Sequence, residues 1–159
     1  MMKRIIPFLI ALVCVFSSAY ADNVLDITAT YYNSFASTIG IEKLPSYSET
    51  EEAGTIKRTY ILSDIRIAYK SDGEKITEAY VACPIDGDLM QFLAVSTATA
   101  FSVLRDDFDA SICGDIFFHI IQRKSGKAER SISYAQNYGY DVSLIGEDIL
   151  AFILICVKR

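Results

Sequence analysis

His119 is the only histidine in the chain, which excludes, within one copy, metal sites that need two imidazoles and relays through two histidines. Asp115 precedes it by one helical turn, a spacing at which a carboxylate can orient an imidazole, and Cys113 or a serine is the nucleophile such a pair would serve. The arrangement fails at the nucleophile. Cys113 and His119 are six residues apart and point to different sides of a helix, so His119 reads better as a hydrogen-bonded core residue. Asp106, Asp107, Asp109 and Asp115 offer the carboxylate oxygens that a hard cation takes. A calcium loop starting at Asp107 needs glycine at position 112 and glutamate at position 118, where the chain has Ile112 and Phe118. Helix capping and solvation account for these aspartates. Glu49, Glu51 and Glu52 likewise read as part of an exposed acidic loop. Glycine-rich phosphate loops, Gly-x-Ser-x-Gly and His-Glu-x-x-His are absent. The sequence therefore predicts no catalytic, cofactor-binding or metal-binding residues and a non-enzymatic protein.

Tyrosine is the surplus that remains: the chain has ten and no tryptophan. Tyr60, Tyr69 and Tyr80 fall on predicted strands, and Tyr138 and Tyr140 near a second strand pair, where a phenol packs one side and hydrogen-bonds at its tip. These five form the candidate binding surface, because aromatics of this kind are enriched where proteins recognise one another. The plainer alternative is that they are ordinary strand residues at the margin of a core.

The amino-terminal residues address the compartment. Lys3 and Arg4 precede an uninterrupted apolar run from Ile5 to Phe16, and Ala19-Tyr20-Ala21 has the small-x-small pattern that a signal peptidase accepts. Twelve apolar residues fall short of the roughly 20 needed to cross a bilayer, so residues 1–21 read as a cleaved signal peptide of bacterial type. The mature protein is then secreted or periplasmic, with no stable membrane anchor. It keeps Cys83, Cys113 and Cys156, an odd number that permits one internal disulfide at most. If the helices around them form an antiparallel hairpin, Cys83 and Cys113 lie at opposite ends of it, whereas Cys156 could meet either partner. Their spacings match no zinc pattern.

The elements that position these residues follow from periodicity. Val24, Tyr31, Tyr32, Phe35 and Ile39 recur at helical spacing with Thr28 and Ala36 on the same stripe, and Gly40 is placed to end that helix. Ile41 to Gly54 reads as a solvated loop or a weak edge strand. Ile56 to Leu62, the alternating Ile65 to Lys70, and Lys75 to Cys83 read as strands, the last two joined by an Asp72-Gly73 turn that supplies positive φ angles. Pro84 stops the third, and Asp86-Gly87-Asp88 caps a helix running to about Leu104. A third helix is expected from Ala110 to about Arg123, apolar on more than one side. Ser131 to Tyr134 and Tyr138 to Ile145 read as interrupted strand, and Ile149 to Val157 as a final strand.

That final strand is apolar at both parities, so it belongs inside a sheet with dry cover on both faces. Helices on one face of an antiparallel sheet cover only one set, and the other set needs a loop, the first helix or another protein. The fold class is α+β: a largely antiparallel sheet of about five strands with helices packed on it, in the order α-β-β-β-α-α-β-β. Residues 22–159 make one domain, since the chain has 159 residues, 52% hydrophobic and 22% charged, without repeats or a linker. Loss of Lys3 and Arg4 with the leader takes the formal net charge from −5 to −7, which argues against nucleic acid as a partner. The reading that unites these points is a small exported interaction protein that presents a sheet face or the acidic loop between Ile41 and Gly54 to another protein, with a homo-oligomer as the second option. The alternative is a carrier or sensor of a small apolar ligand held between helices and sheet and lined by Phe92, Phe101, Phe117, Phe118 and the tyrosines.

Overall fold

The computed structural model describes residues 23–84, 86–109, 111, 114, 140–145 and 149–156. The expected signal peptide, His119, Cys113, Tyr138 and the segment from Ser131 to Tyr134 lie outside the described residues. So does most of the third helix, of which Ser111 and Gly114 have helical backbone.

Helix α1 spans Val24–Ile39. The Asn23 side chain accepts a hydrogen bond from the Leu25 amide at 3.0 Å, which satisfies one of the free amides at the helix start. Gly40 ends it in the left-handed conformation at φ 75°, its amide donating to the Ala36 carbonyl, as its place in the sequence implied. The buried stripe is Val24, Leu25, Thr28, Tyr32 and Ala36. Tyr31 and Ile39, expected on it, are exposed. The helix has rolled so that Leu25 enters the core and Tyr31 turns toward the second helix.

Four strands follow: β1, Tyr47–Glu52; β2, Thr55–Leu62; β3, Ile65–Ser71; and β4, Ile76–Pro84. Helix α2 spans Leu89–Leu104, with Asp88 accepting from the amides of Met90 and Gln91. A short 3-10 turn, Arg105–Asp107, closes it. Strands β5, Tyr140–Ile145, and β6, Ile149–Cys156, complete a six-stranded sheet of order β1-β2-β3-β4-β6-β5, antiparallel at every pairing. The architecture is α+β, with the sixth strand supplied by the segment that the sequence leaves between loop and edge. The β3–β4 turn differs in detail from expectation. Gly73 alone takes positive φ, at 97°, while Asp72 acts through its side chain, accepting from the amides of Glu74 and Lys75.

Strand alternation gives the sheet two distinct faces. Arg58, Tyr60 and Leu62 of β2, Ile65, Ile67 and Tyr69 of β3, and Ala79, Val81 and Cys83 of β4 are buried on the inner face, with Phe152 and Leu154 of β6. A register shift between Lys70 and Ser71 lets Ile76 and Ala79, three residues apart, both be buried. Both helices lie on this face, and Leu25, Tyr32, Phe92 and Val95 fill the layer between. Tyr69 reaches across it to Ser102 of α2 at 3.1 Å. Because Ser102 donates its own proton to the Thr99 carbonyl, the Tyr69 phenol is the donor to Ser102.

Strand β6 lies inside the sheet, between β4 and β5, where its apolar composition places it. Cys83 is registered opposite Leu150, and Cys156 lies six residues further along the same strand. At about 3.4 Å per residue the two cysteines are roughly 20 Å apart, far beyond the reach of a disulfide. The pairing of Cys83 with Cys156 that the sequence left open is therefore excluded within one chain.

Candidate functional site

The outer face of the sheet carries the side chains that alternate with the core. On β2 these are Lys57, Thr59 and Ile61; on β3, Arg66, Ala68 and Lys70; on β4, Glu78, Tyr80 and Ala82; on β6, Ala151, Ile153 and Ile155. Ile61 is 60% exposed and Ile155 42%, while Tyr80 and Ile153 are half-buried and lie directly opposite each other. Lys70 and Glu78 face each other across β3 and β4 as an ion pair at 2.9 Å. The face thus leaves Ile61 and Ile155 exposed and Tyr80 and Ile153 half-buried, while Ala68, Ala82 and Ala151 between them are buried.

Of the five tyrosines expected on a binding surface, Tyr80 stands half-buried on the outer face, while Tyr60 and Tyr69 turn inward. Those two are interior, with rings in edge contact at 6.1 Å between centroids. The pattern around them holds the reason: Tyr69 shares its parity with Ile65 and Ile67, Tyr60 with Leu62, and Tyr80 with Glu78. Burial pushes the Tyr69 and Tyr32 phenols well above the ordinary tyrosine range. Desolvation raises Tyr60 too, and the neighbouring Arg58 charge works against that rise without cancelling it. The backbone of Tyr140 starts β5, opposite Cys156, and Tyr138 lies outside the described residues. Ile61 and Ile155 were missed as surface residues, although Ile61 stands at the parity of Lys57 and Thr59.

A charged knot holds the acidic edge. Arg58 is 3% exposed, and its guanidinium donates to Asp26 of α1 at 2.6 Å and to Glu49 of β1 at 2.8 Å. The same group lies over the Tyr47 ring, 4.0 Å from its centroid. Burial by itself lowers the Arg58 pKa, but the hydrogen bonds that its guanidinium donates to Asp26 and Glu49 reverse that, and the net shift is upward. The acidic segment is therefore strapped to the body as an edge strand whose residues are all exposed. Its glutamates guard the free edge against pairing with another chain.

One cleft, of about 340 Å³, opens where the β3–β4 turn meets the start of α1 and the end of α2. Val24, Ile76 and Val103 form its apolar part, and Glu74, Lys75, Arg105, Asp106 and Asp107 its charged part. Arg105 holds an unusual backbone, φ 54° and ψ −117°, and its guanidinium sits over Tyr31 at 5.2 Å. Beside it, Phe35 stacks on Phe101 at 4.6 Å and both contact Phe108. Phe92 and Phe101, expected together around an apolar ligand, are separated: Phe92 belongs to the core and Phe101 to this aromatic cluster between the helices.

Cys83 is buried, and desolvation pushes its thiol up to about 11 with Asp64 and Asp86 adding to the shift. It stays protonated at neutral pH and is a poor nucleophile. Among the described residues, no group of three or more His, Cys, Asp or Glu is placed to hold a metal ion. No helix among them is long and apolar enough to cross a membrane. The chain matches no protein-family model, no curated protein and no solved structure.

Proposed function

We propose that this is an exported, non-enzymatic interaction protein that docks another protein on the outer face of its sheet. The observation that carries the reading is the exposure of Ile61 and Ile155, with half-buried Tyr80 and Ile153 between them, on the face away from both helices. A large apolar side chain standing alone on a surface is ordinary, but exposed and half-buried ones grouped on one sheet face favour a contact surface. The hydrogen-bonded ladder beneath them fixes the backbone already, so binding has only side chains left to order. The carrier reading draws less support, since Phe92 lies in the core and Phe101 in the aromatic cluster between the helices, while Phe117 and Phe118 lie outside the described residues.

Fluorescence of an apolar dye, measured on the protein expressed from its full reading frame, tests the proposal. The folded protein is expected to bind the dye. Ile61→Asp combined with Ile155→Asp should abolish most of that binding while leaving circular dichroism and the unfolding midpoint close to those of the parent. A parent protein that leaves the dye dark, or a variant that binds it equally well, overturns the reading.

A further inference from the structure

Strand β1 ends the sheet order, and each of its residues is exposed. The turn that joins it to β2 is Ala53-Gly54, with φ of 49° and 77°, so Glu52 and Thr55 exchange hydrogen bonds and the pairing alternates from there. Tyr47, Glu49 and Glu51 fall at the pairs that are not hydrogen-bonded. Their backbone amides and carbonyls point away from β2, out of the sheet. Proteins blunt such edges with proline, lysine, a bulge or a covering segment. Here the register with β2 runs unbroken along Tyr-Ser-Glu-Thr-Glu-Glu, with none of these. The ladder is also held in place for a partner, because Arg58 bonds Glu49 and lies on the Tyr47 ring.

We propose that β1 is a strand-addition site for an extended, positively charged segment of another protein, which pairs antiparallel along the free edge. This contact is separate from the outer face. The glutamates guard the edge by charge, so they turn away neutral and acidic strands and admit a cationic one. Glu49 is already engaged by Arg58, whereas Glu51 and Glu52 enter no ion pair among the described residues. Strand alternation sets Glu51 on the helix side with Tyr47 and Glu49, and Glu52 on the other side with Ser48 and Thr50. Lys57, opposite Thr50, is a diagonal neighbour of Glu52 and offsets it in part, which leaves Glu51 the stronger attractor. The incoming strand therefore carries adjacent basic residues beside the hairpin turn and an apolar residue beside Tyr47, which is 51% exposed. A second copy that paired through its own β1 would set glutamate against glutamate, and the net charge of −5 steers cations toward the chain as a whole.

Fluorescence anisotropy of a labelled, capped peptide, Lys-Lys-Thr-Val-Thr-Phe, with the protein expressed from its full reading frame tests the proposal. Laid antiparallel, its lysines face Glu52 and Glu51, its valine Glu49 and its phenylalanine Tyr47. The parent is expected to bind it saturably. Methylating the valine amide keeps every charge but removes the donor to the Glu49 carbonyl, and should weaken binding about tenfold. Glu51→Lys combined with Glu52→Lys, both at exposed positions, should weaken it about tenfold or more and should instead take up the peptide whose lysines are replaced by glutamates. Ile61→Asp combined with Ile155→Asp should leave peptide binding unchanged. A parent that does not bind the lysine peptide, or binds the methylated one equally well, overturns strand addition. Peptide binding lost with Ile61 and Ile155 rather than with the glutamates overturns the edge as its location. Dye binding that persists when the peptide fails leaves the outer face standing, and the reverse outcome leaves the edge standing alone.

Discussion

Arg58 sits at the parity of Ile56, Tyr60 and Leu62, a charge on the apolar side of its strand. It is tolerated there because its charge is neutralised by partners that remain partly in water: the Asp26 side chain is 60% exposed and that of Glu49 39%. Removing the arginine lets both carboxylates hydrate, so Arg58→Met is expected to cost about 1–3 kcal/mol of stability rather than the larger penalty of a stranded buried charge. Arg58→Lys should cost nearly as much, because one ammonium cannot bridge both carboxylates and lie flat on the Tyr47 ring. Urea unfolding of the two variants measures this. Cys83 makes a pH-dependent prediction. Its thiol ionises near 9.0 when free of the fold and only near about 11 within it. Between those values the unfolded chain holds fewer protons than the folded one, so stability is fully present below pH 9 and falls as pH rises toward 11. The decline in unfolding midpoint over that window should be shallower in Cys83→Ala than in the parent. The candidate surface was only partly legible at this scale: parity tells Tyr69 from Tyr80, but grouping tyrosines by type alone put them together.

Among the elements, α2 ends on a strained residue. Arg105 takes a positive φ that only glycine adopts freely, at a cost of about 1–3 kcal/mol. Its stacking on Tyr31 returns about 0.5–1 kcal/mol. Arg105→Ala keeps the strain and loses the stack, whereas Arg105→Gly loses the stack and relieves the strain. The glycine variant should therefore be more stable than the alanine variant by about 1 kcal/mol, read from their denaturation midpoints, and an equal or reversed order would contradict the backbone assignment. Most elements could be read from the sequence because burial writes a period into it: two for β2 and β3, and 3.6 for α1, whose ends at Asn23 and Gly40 also carry their own capping chemistry. Strand β1 has no such mark. Every residue of Tyr47–Glu52 is exposed, so its hydrogen bonds to β2 leave no hydrophobic alternation to detect. The roll of α1 was equally hidden, since Tyr31 and Leu25 are both apolar and only the position of α2 decides which turns inward.

At the level of the whole molecule, the register of β4 with β6 separates Cys83 from Cys156. Peptide mapping of the unreduced protein should accordingly recover no fragment joining those two, and finding one in a monomer would contradict the strand order. The α+β class and the interior place of the last strand were legible because nine consecutive residues without a charge have few other places to go. The strand order was not, since no local pattern tells β6 to insert beside β4 instead of extending past β5. That insertion has a consequence for the growing chain. The meander from β1 to β4 is complete in sequence long before its open flank can be closed, because the closing strand β6 comes only after α2 and β5. A chain halted just short of Ile149 would lose the seam that joins β5 to everything before it, leaving the flank of β4 unpaired. Loss of β6 should therefore be far more damaging than loss of the rim strand β1.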